Sequence, residues 1–172
     1  HQGIVWGVNT AQTIKHEALV NRFDYDGIYG TVLNRFLSQA ANGHPLSVYG
    51  TGGQSRAFIH ISDTARCIEL ASKNSQYIEG KVEIYNQVSE VRSVLELAKI
   101  VSEKFGVDYE LLENPRNELA SNELEVSNAG LKSLGFDPIK LSDGLLEDVK
   151  TIASYTSKNF KKQNVLSSPK WR

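Results

Sequence analysis

The residues of this chain that are best suited to chemistry lie around a glycine-rich turn between two short apolar runs. The turn contains Gly50, Gly52 and Gly53, and Arg56 follows it at the start of the second run. Glycine lets the backbone approach a ligand closely, and a guanidinium can bind a phosphate through two parallel hydrogen bonds. The spacing therefore indicates a phosphate site with an aromatic residue beside it. A solvated arginine in a hairpin-like connection fits the same spacing.

A second arginine on irregular backbone, Arg116, follows Pro115, and Glu118 comes shortly after it. Two guanidinium groups that converge from separate loops can neutralise a diphosphate, and a carboxylate beside them can accept hydrogen bonds from ribose hydroxyls. Surface ion pairs, which contribute little to stability, are the alternative for both arginines. Arg56 and Arg116 together indicate a nucleotide diphosphate site if the two loops meet.

Other catalytic patterns are missing from the sequence. The four histidines have no metal-ligand spacing to one another or to Cys67, and no G-x-S-x-G turn is present. No G-x-G-x-x-G fingerprint opens a strand-to-helix turn, so we expect no dinucleotide pyrophosphate loop in this chain. Tyr77 and Lys81 have the spacing of a catalytic Tyr-x-x-x-Lys pair, but Gly80 interrupts a polar linker there, so we expect no helix that presents both.

Composition limits the possible partners. The 172 residues carry a formal net charge of −1, so no overall field attracts nucleic acid or an anionic membrane.

The single cysteine, Cys67, excludes an internal disulfide framework. Its position among Ala65, Ile68 and Ala71 predicts a buried helix face in a reducing compartment, either the cytoplasm or an organelle stroma. The chain contains no methionine and opens within an apolar run, so we expect it to be part of a longer protein.

Hydrophobic periodicity predicts a mixed α/β fold. The predicted strands are 1–7, 46–49, 57–61, 82–87 and 109–112. The predicted helices are 31–42, 63–73, 94–104, 127–134 and one capped by Ser142. Ser93 and Glu96 form a capping box at the start of the third helix. Residues 8–30 read as a long loop, and a basic tail closes the chain.

Several of these segments together carry a family resemblance. They are GIVWG, PLSVYGTGGQSRAFIHISDTA, IYNQ before SVLELAKIV, NPR and LSDGLLEDV. In them the chain resembles the C-terminal half of the extended short-chain dehydrogenase/reductases that form the nucleotide-sugar epimerase/dehydratase family. The resemblance implies the last strands of a Rossmann sheet plus a small mixed α/β substrate-binding lobe. It implies a UDP-sugar-binding half at 1–160, a tail at 161–172, and an NAD-binding half that lies upstream.

Within that family, HQGIVWGV, NRFDYDGIYGTVLNRFLSQAANGHPLSVYG and the closing SPKW are similar to members that add sulfite to UDP-glucose. That resemblance implies NAD-dependent oxidation at glucose C4, loss of water across C5 and C6, addition of sulfite at C6 and return of the hydride. The catalytic residues would lie upstream, so this chain alone is expected to be inactive. The full-length protein is expected to form a homo-oligomer. There are two alternatives. One is another nucleotide-sugar epimerase or 4,6-dehydratase, and the other is a catalytically silent binding or scaffold module.

The family motifs also imply roles for particular residues. Arg56 and Arg116 would bind the diphosphate, Phe58 would lie near uracil, and Glu118 would contact the ribose. The other implied contacts are to the substrate from Gln2, Thr31, Asn34, Val48 and Tyr49, and to the cofactor from Gln2 and Gly3. Relatives carry asparagine where this chain has Ile4, so we expect Gln2 to make that sugar contact instead.

Overall fold

The computed structural model describes residues 1–19, 23–27, 29–74, 79–115, 119–156, 160–161 and 165. The strands found there are β1 (Ile4–Trp6), β2 (Leu46–Tyr49), β3 (Ser55–His60), β4 (Glu90–Ser93) and β5 (Tyr109–Leu112). The α-helices are α1 (Val32–Ala41), α2 (Ile61–Asn74), α3 (Val94–Phe105), α4 (Ala129–Ser133) and α5 (Leu141–Thr156). Single 3-10 turns at Thr13–Lys15 and Glu17–Leu19 interrupt the predicted long loop.

The strands form two separate sheets. One has the order β1-β3-β4, in which β1 is parallel and β4 antiparallel to β3. The other consists of β2 and β5, which run parallel to each other. Consecutive strands β2 and β3 therefore belong to different sheets, so the alternative of a hairpin-like connection is wrong. The glycine turn between them is the point where the two sheets meet.

Gly52 is required by the geometry of this turn. Its φ is 69°, a left-handed conformation that side chains rarely adopt. A Cβ on Gly52 would lie 2.8 Å from Val48 Cγ1 and 3.0 Å from the backbone nitrogen of Leu95. Its carbonyl accepts a hydrogen bond from that nitrogen at 2.8 Å, which joins the turn to the start of α3. The absence of a side chain thus allows β2 and α3 to pack closely.

Helix α1 lies at the centre of the main core and packs against α3, α5 and β2. Its Thr31 N-cap accepts a hydrogen bond from Asn34 N at 3.2 Å through Oγ1, and this cap starts the helix where the sequence predicted. Leu33, Phe36 and Leu37 are fully buried. Because burial of such a side chain contributes roughly 1.5–3 kcal/mol, these residues anchor the helix firmly.

In the sheet region, one predicted strand is wrong and one observed strand was not predicted. Residues 82–87 form no strand: Val82 and Ile84 are 83% and 69% exposed. Among the residues described, Gln87 alone in this run forms a β-bridge, and its partner Gln2 lies just before β1. Alternating apolar residues cannot form a strand without a partner backbone. Conversely, β4 was not predicted, because its residues gain strand structure from pairing with β3.

The start of α5 also differs from the prediction. The helix begins at Leu141, so Ser142 lies inside the first turn and its hydroxyl donates to Asp143 Oδ1 at 2.8 Å. The amide of Leu141 donates instead to Glu90 Oε1. A side chain from β4 therefore satisfies the helix end that a local cap was expected to satisfy.

Cys67 is buried on α2 as predicted, but the face around it is different. Ala65 and Ile68 are exposed, and the buried face carries Asp63 and Cys67 with Leu70 packed against it. Asp63 turns inward because its Oδ2 accepts a hydrogen bond from Ile139 N at 2.6 Å. This polar contact sets the rotation of α2, which apolar periodicity alone could not reveal.

The end of the chain is described only in part. Of the predicted tail, the structure describes residue 161 and Val165, which is 1% exposed and therefore packs against the body. The other residues of the tail lie outside the described residues. Within the described portion, no helix combines the length and the apolarity that a membrane span requires.

Candidate nucleotide-sugar site

A cavity of about 170 Å³ opens where the start of α1, the end of β2 and the start of β3 meet. Its polar lining comes from Thr31, Arg35, Tyr49, Gln54, Arg56 and Asn114. Both sheets contribute to this lining, because Tyr49 ends β2 and Arg56 belongs to β3. The cavity therefore depends on the glycine turn that joins the sheets.

Arg56 is half-buried at the cavity, and its Nη1 donates to its neighbour's carbonyl, Ser55 O, at 2.9 Å. In the β3–β4 pair it stands directly opposite Arg92. Arg92 is held by Glu90, whose Oε2 lies 2.8 Å from its Nε. Like charges directly opposite each other are unfavourable in an antiparallel pair. Glu90 offsets this repulsion, and a positive edge remains beside the cavity.

Tyr49 and Arg35 contribute another part of the lining. The Arg35 guanidinium carbon lies 4.6 Å from the centroid of the Tyr49 ring, within the range of a cation–π contact. Arg35 is only 6% exposed, although it carries a charge. Its backbone nitrogen donates to Thr31 O at 3.0 Å, which places Arg35 one helical turn after the N-cap.

Sequence reasoning missed Arg35. The residue lies between Asn34 and Phe36 in a helix whose apolar stripe dominated the pattern. A usable signal was nonetheless present, because residues four apart lie on the same helix face and Thr31 was already expected to face the nucleotide.

The structure brings together three of the predicted site residues, Thr31, Tyr49 and Arg56, in this one cavity. The Asn34 side chain instead donates through Nδ2 to Asp24 O at 3.1 Å and holds the preceding loop. Val48 and Phe58 are buried in the core at 0% and 1% exposure. Their side chains therefore belong to the core, and the Phe58 ring offers no surface to a base.

Gln2 and Gly3 line a neighbouring cavity of about 280 Å³, together with Ala57 and Val88. Ile4 lines both cavities and so stands between them. Gln2 Nε2 donates to Gln87 Oε1 at 3.3 Å, which links the residues before β1 to the segment before β4.

Arg116 and Glu118 lie outside the described residues, as does Tyr77 of the rejected tyrosine-lysine pair. The described residues on either side of Arg116 and Glu118 are attached near the cavity. Asn114 lines it, and Leu119 O accepts a hydrogen bond from Gln54 Nε2 at 3.0 Å. Among the described residues, no group of three His, Cys, Asp or Glu side chains could hold a metal ion.

The fold matches that of known nucleotide-sugar enzymes. UDP-glucuronic acid 4-epimerase from Bacillus cereus, solved with UDP-glucuronic acid and NAD, aligns with a TM-score of 0.64 at 22% identity over 90% of this chain and 44% of that one. UDP-glucose 4-epimerase from Thermotoga maritima, solved with UDP-glucose, gives the same TM-score and identity over 90% and 45%. Residues 16–86 match the NAD dependent epimerase/dehydratase family. The two structures confirm the predicted mixed α/β fold, and the match over residues 16–86 agrees with the predicted family.

Curated relatives narrow the resemblance within that family. The chain is 42% identical over 177 residues to the chloroplastic UDP-sulfoquinovose synthase of Spinacia oleracea, covering 100% of this chain and 36% of the relative. It is 35% identical over 178 residues to UDP-sulfoquinovose synthase of Sulfolobus acidocaldarius, covering 99% and 45%. The chain thus spans less than half the length of these relatives.

Proposed function

We propose that this chain is the substrate-binding part of an NAD-dependent enzyme that makes UDP-sulfoquinovose from UDP-glucose and sulfite. The observation that carries the proposal is the cavity whose lining includes both Arg56 and Tyr49, one from each sheet. Similarity to the two synthases along the whole chain supports this choice over other members of the family.

The cavity suits one orientation of a UDP-sugar. Arg56 would bind the diphosphate through its fork of N–H donors, while Tyr49 would lie beside the base. The sugar would then extend past Ile4 toward Gln2 and Gly3, since Ile4 separates the two cavities. Gln2 would take the sugar contact that an asparagine makes in relatives.

Two further residues complete the proposed site. Arg116 would be the second contact to the diphosphate, and Glu118 would contact the ribose. The residues on either side support this assignment, because Asn114 lines the cavity and Leu119 O accepts a hydrogen bond from Gln54. Thr31 would contribute by capping the start of α1 at the cavity, and Asn34 would contribute by holding the loop before α1. Val48 and Phe58 would support the site by packing.

NAD would accept and return the hydride, and the groups that bind most of it would lie in the portion of the enzyme outside this chain. We therefore expect this chain alone to bind UDP-sugars weakly, and neither to bind NAD nor to turn substrate over. The full-length protein is proposed to form a homo-oligomer in the cytoplasm, or in the plastid stroma if it comes from a plant. Light scattering of the purified protein tests the assembly.

Activity is tested on the full-length protein with NAD and UDP-glucose, with and without sulfite. Mass spectrometry should show a sulfonated UDP-sugar that appears only with sulfite. Conversion of UDP-glucose to an epimer or a 4-keto-6-deoxy sugar without sulfite would instead identify an epimerase or a dehydratase. Binding without any turnover would identify a silent module.

The diphosphate contacts are tested by Arg56→Ala and Arg116→Ala. Each should weaken UDP-glucose binding by about 1.5–3 kcal/mol, the range for a hydrogen bond to a charged group. Lys99→Gln removes a charge from an exposed position on α3 and serves as the control. Unchanged affinity in both arginine variants would show that neither residue touches the diphosphate.

A further inference from the structure

Residues 119–128, which we call the strap, run from the glycine turn to the start of α4 and belong to no helix or named strand. Side chains in its second half alternate. Leu124 and Val126 are half-buried and line the 280 Å³ cavity, whereas Glu123 and Glu125 are exposed. Alternation of this kind is typical of an extended segment with one covered face. The strap therefore contributes apolar side chains to the cavity that Gln2 also lines.

The first end of the strap is fastened to the glycine turn by polar contacts. Thr51 Oγ1 donates to Ala120 O at 2.8 Å. Asn122 Oδ1 accepts from Ser55 N at 2.7 Å, and its Nδ2 donates to Ser55 O at 3.4 Å. A Cβ on Gly53 would lie 2.5 Å from Ala120 O, so a glycine is needed for the strap to pass this close. Asn122 thus pairs with the backbone of β3 as a neighbouring strand would.

The second end of the strap is fastened to the segment before β4 and to the core. Asn86 Nδ2 donates to Ser127 O at 2.9 Å, and Asn128 Nδ2 donates to Val88 O at 2.7 Å. Helix α4 follows directly, and its Leu131 is 1% exposed in a hydrophobic cluster. This end is therefore held by apolar burial as well as by hydrogen bonds.

The two ends differ in how easily they can separate from the body of the protein. Residues 119–122 are all exposed, and Leu119 has 81% of its surface in solvent. Exposed hydrogen bonds contribute little net stability, because water replaces the lost partner. Segments with few buried apolar contacts and exposed hydrogen bonds are the ones that open locally. Opening at Asn122 should therefore cost less free energy than opening at Asn128.

We propose that the strap hinges at Asn128 and opens at Asn122, and that its opening admits the sugar end of the substrate to the 280 Å³ cavity. The inference rests on the proposed function and concerns access to one end of that site. In the closed state Leu124 and Val126 cover the sugar. Asn122 is a positioning residue, since it acts by holding the strap on Ser55 and not by touching the substrate.

The opening is measured on the full-length protein through a thiol placed at residue 124. Leu124→Cys should react with a thiol reagent at a rate set by the fraction of molecules in which the strap is open. Adding Asn122→Ala should raise this rate by about two- to tenfold, the range for a lost hydrogen bond. Asn122→Asp keeps an acceptor for Ser55 N and should stay closer to the parent rate. Glu123→Gln, at an exposed position of the strap, is the control and should leave the rate unchanged.

The position of the hinge is measured with Val126→Cys. Asn122→Ala should accelerate labelling at residue 126 less than at residue 124, because residue 126 lies closer to Asn128. Peptide mass spectrometry reads each labelled position separately from other cysteines. Equal acceleration at the two positions would overturn the hinge at Asn128, and no acceleration at residue 124 would overturn the opening at Asn122.

The ligand that the strap covers is identified by protection of Leu124→Cys. Saturating UDP-glucose should slow the labelling by about tenfold or more, because the ligand stabilises the closed state by mass action. UDP alone lacks the sugar and should change the rate by less than about twofold. Equal protection by UDP and UDP-glucose would show that the strap does not cover the sugar, and the inference would fail.

Proteolysis of the natural protein covers the case in which Leu124→Cys fails to fold. A glutamate-specific protease cuts after Glu123 or Glu125 only when the strap leaves the body, so cleavage follows the open population. UDP-glucose should slow this cleavage and Asn122→Ala should accelerate it, and the absence of both effects overturns the inference. If the natural protein binds no UDP-glucose, the proposed function fails, while the effect of Asn122→Ala still decides whether the strap opens. If UDP-glucose binds without protecting the strap, only the present inference fails.

Discussion

Glu90 Oε1 lies 2.7 Å from the amide nitrogen of Leu141, the first residue of α5 and 51 positions further along the chain. The other carboxylate oxygen, Oε2, lies 2.8 Å from Arg92 Nε. One side chain on β4 therefore both satisfies the start of a helix and pairs with the arginine opposite Arg56. The positive edge of the candidate site and the position of α5 depend on the same carboxylate.

Replacing Glu90 should destabilise the protein. Glu90→Ala leaves the Leu141 amide without its acceptor and Arg92 without its partner, so the free energy of unfolding should fall by about 1–3 kcal/mol. Glu90→Gln keeps an acceptor oxygen and should cost less. Urea unfolding measures both, with Glu103→Ala at an exposed position of α3 as the control. Equal stability of Glu90→Ala and Glu103→Ala would show that the cap contributes nothing.

Asp63 should make stability depend on pH. Burial raises the pKa of Asp63 above its ordinary value of 3.8, while the hydrogen bond from Ile139 N acts in the opposite direction. The folded protein therefore binds this proton more tightly than the unfolded chain does. The contribution of Asp63 to the free energy of unfolding should therefore be greatest below pH 3.8. This contribution should fall as the pH rises through the raised pKa, and it should then level off.

Asp63→Asn tests this dependence, since the amide oxygen can still accept from Ile139 N and no proton is exchanged. Unfolding free energies at a series of pH values should converge or cross for Asp63→Asn and the natural protein within that window. Asp108→Asn, at an exposed position, should follow the natural protein. Parallel curves for Asp63→Asn and the natural protein would contradict the prediction.

Cys67 should be chemically inert in the folded protein. It is fully buried, and burial, with a smaller contribution from Asp63, raises the pKa of its thiol from 9.0 to about 11. A thiol reagent at mildly alkaline pH should therefore react with it only after denaturation. Ile68→Cys in a Cys67→Ala background places a thiol on the exposed face of α2 and should react at once. Rapid modification of the native Cys67 would disprove its burial.

Phe160 should stabilise the loop that precedes α1. Its ring stacks between Tyr25, at 5.5 Å between centroids, and His44, at 5.2 Å. Tyr25 is close to Gly30, which lines the candidate site. Phe160→Ala should cost about 1–3 kcal/mol, since each ring pair contributes roughly 0.5–1.5 kcal/mol beyond burial.

Hydrogen exchange followed by mass spectrometry should show faster exchange at residues 24–30 in Phe160→Ala. Phe160→Tyr keeps an aromatic ring and should behave like the natural protein. If alanine and tyrosine at this position gave the same exchange rates, the stacking would have no effect on the loop.

The elements that were predicted well have local signals. Helix α1 starts at a threonine that accepts from Asn34 N, and α3 starts at Ser93, which forms the predicted capping box with Glu96. Strands β2 and β5 were predicted at their observed bounds, because turn-forming residues lie at both ends of each apolar run. Strand β4 and the rotation of α2 depend on partners far along the chain, namely β3 and Ile139, and no local pattern contains that information.

The candidate site was predictable to a similar extent. The family motif pointed to Thr31, Tyr49 and Arg56, which the structure places at one cavity. It also pointed to Phe58, which lies on the same side of β3 as Arg56 because residues two apart share a strand face. Along that face the strand passes from the cavity into the core, so Phe58 is buried. Arg35 became recognisable only when α1 and β2 were seen side by side.

The separation of β2 and β3 into different sheets has a consequence for engineering this molecule. The residues between Tyr49 and Arg56 connect the two sheets, and Gly52 packs too tightly against Val48 for those residues to move freely. An insertion or deletion there would shift one sheet relative to the other and change the width of the opening. Variation in ligand choice is therefore better introduced by exchanging side chains on α1 than by altering the length of this connection.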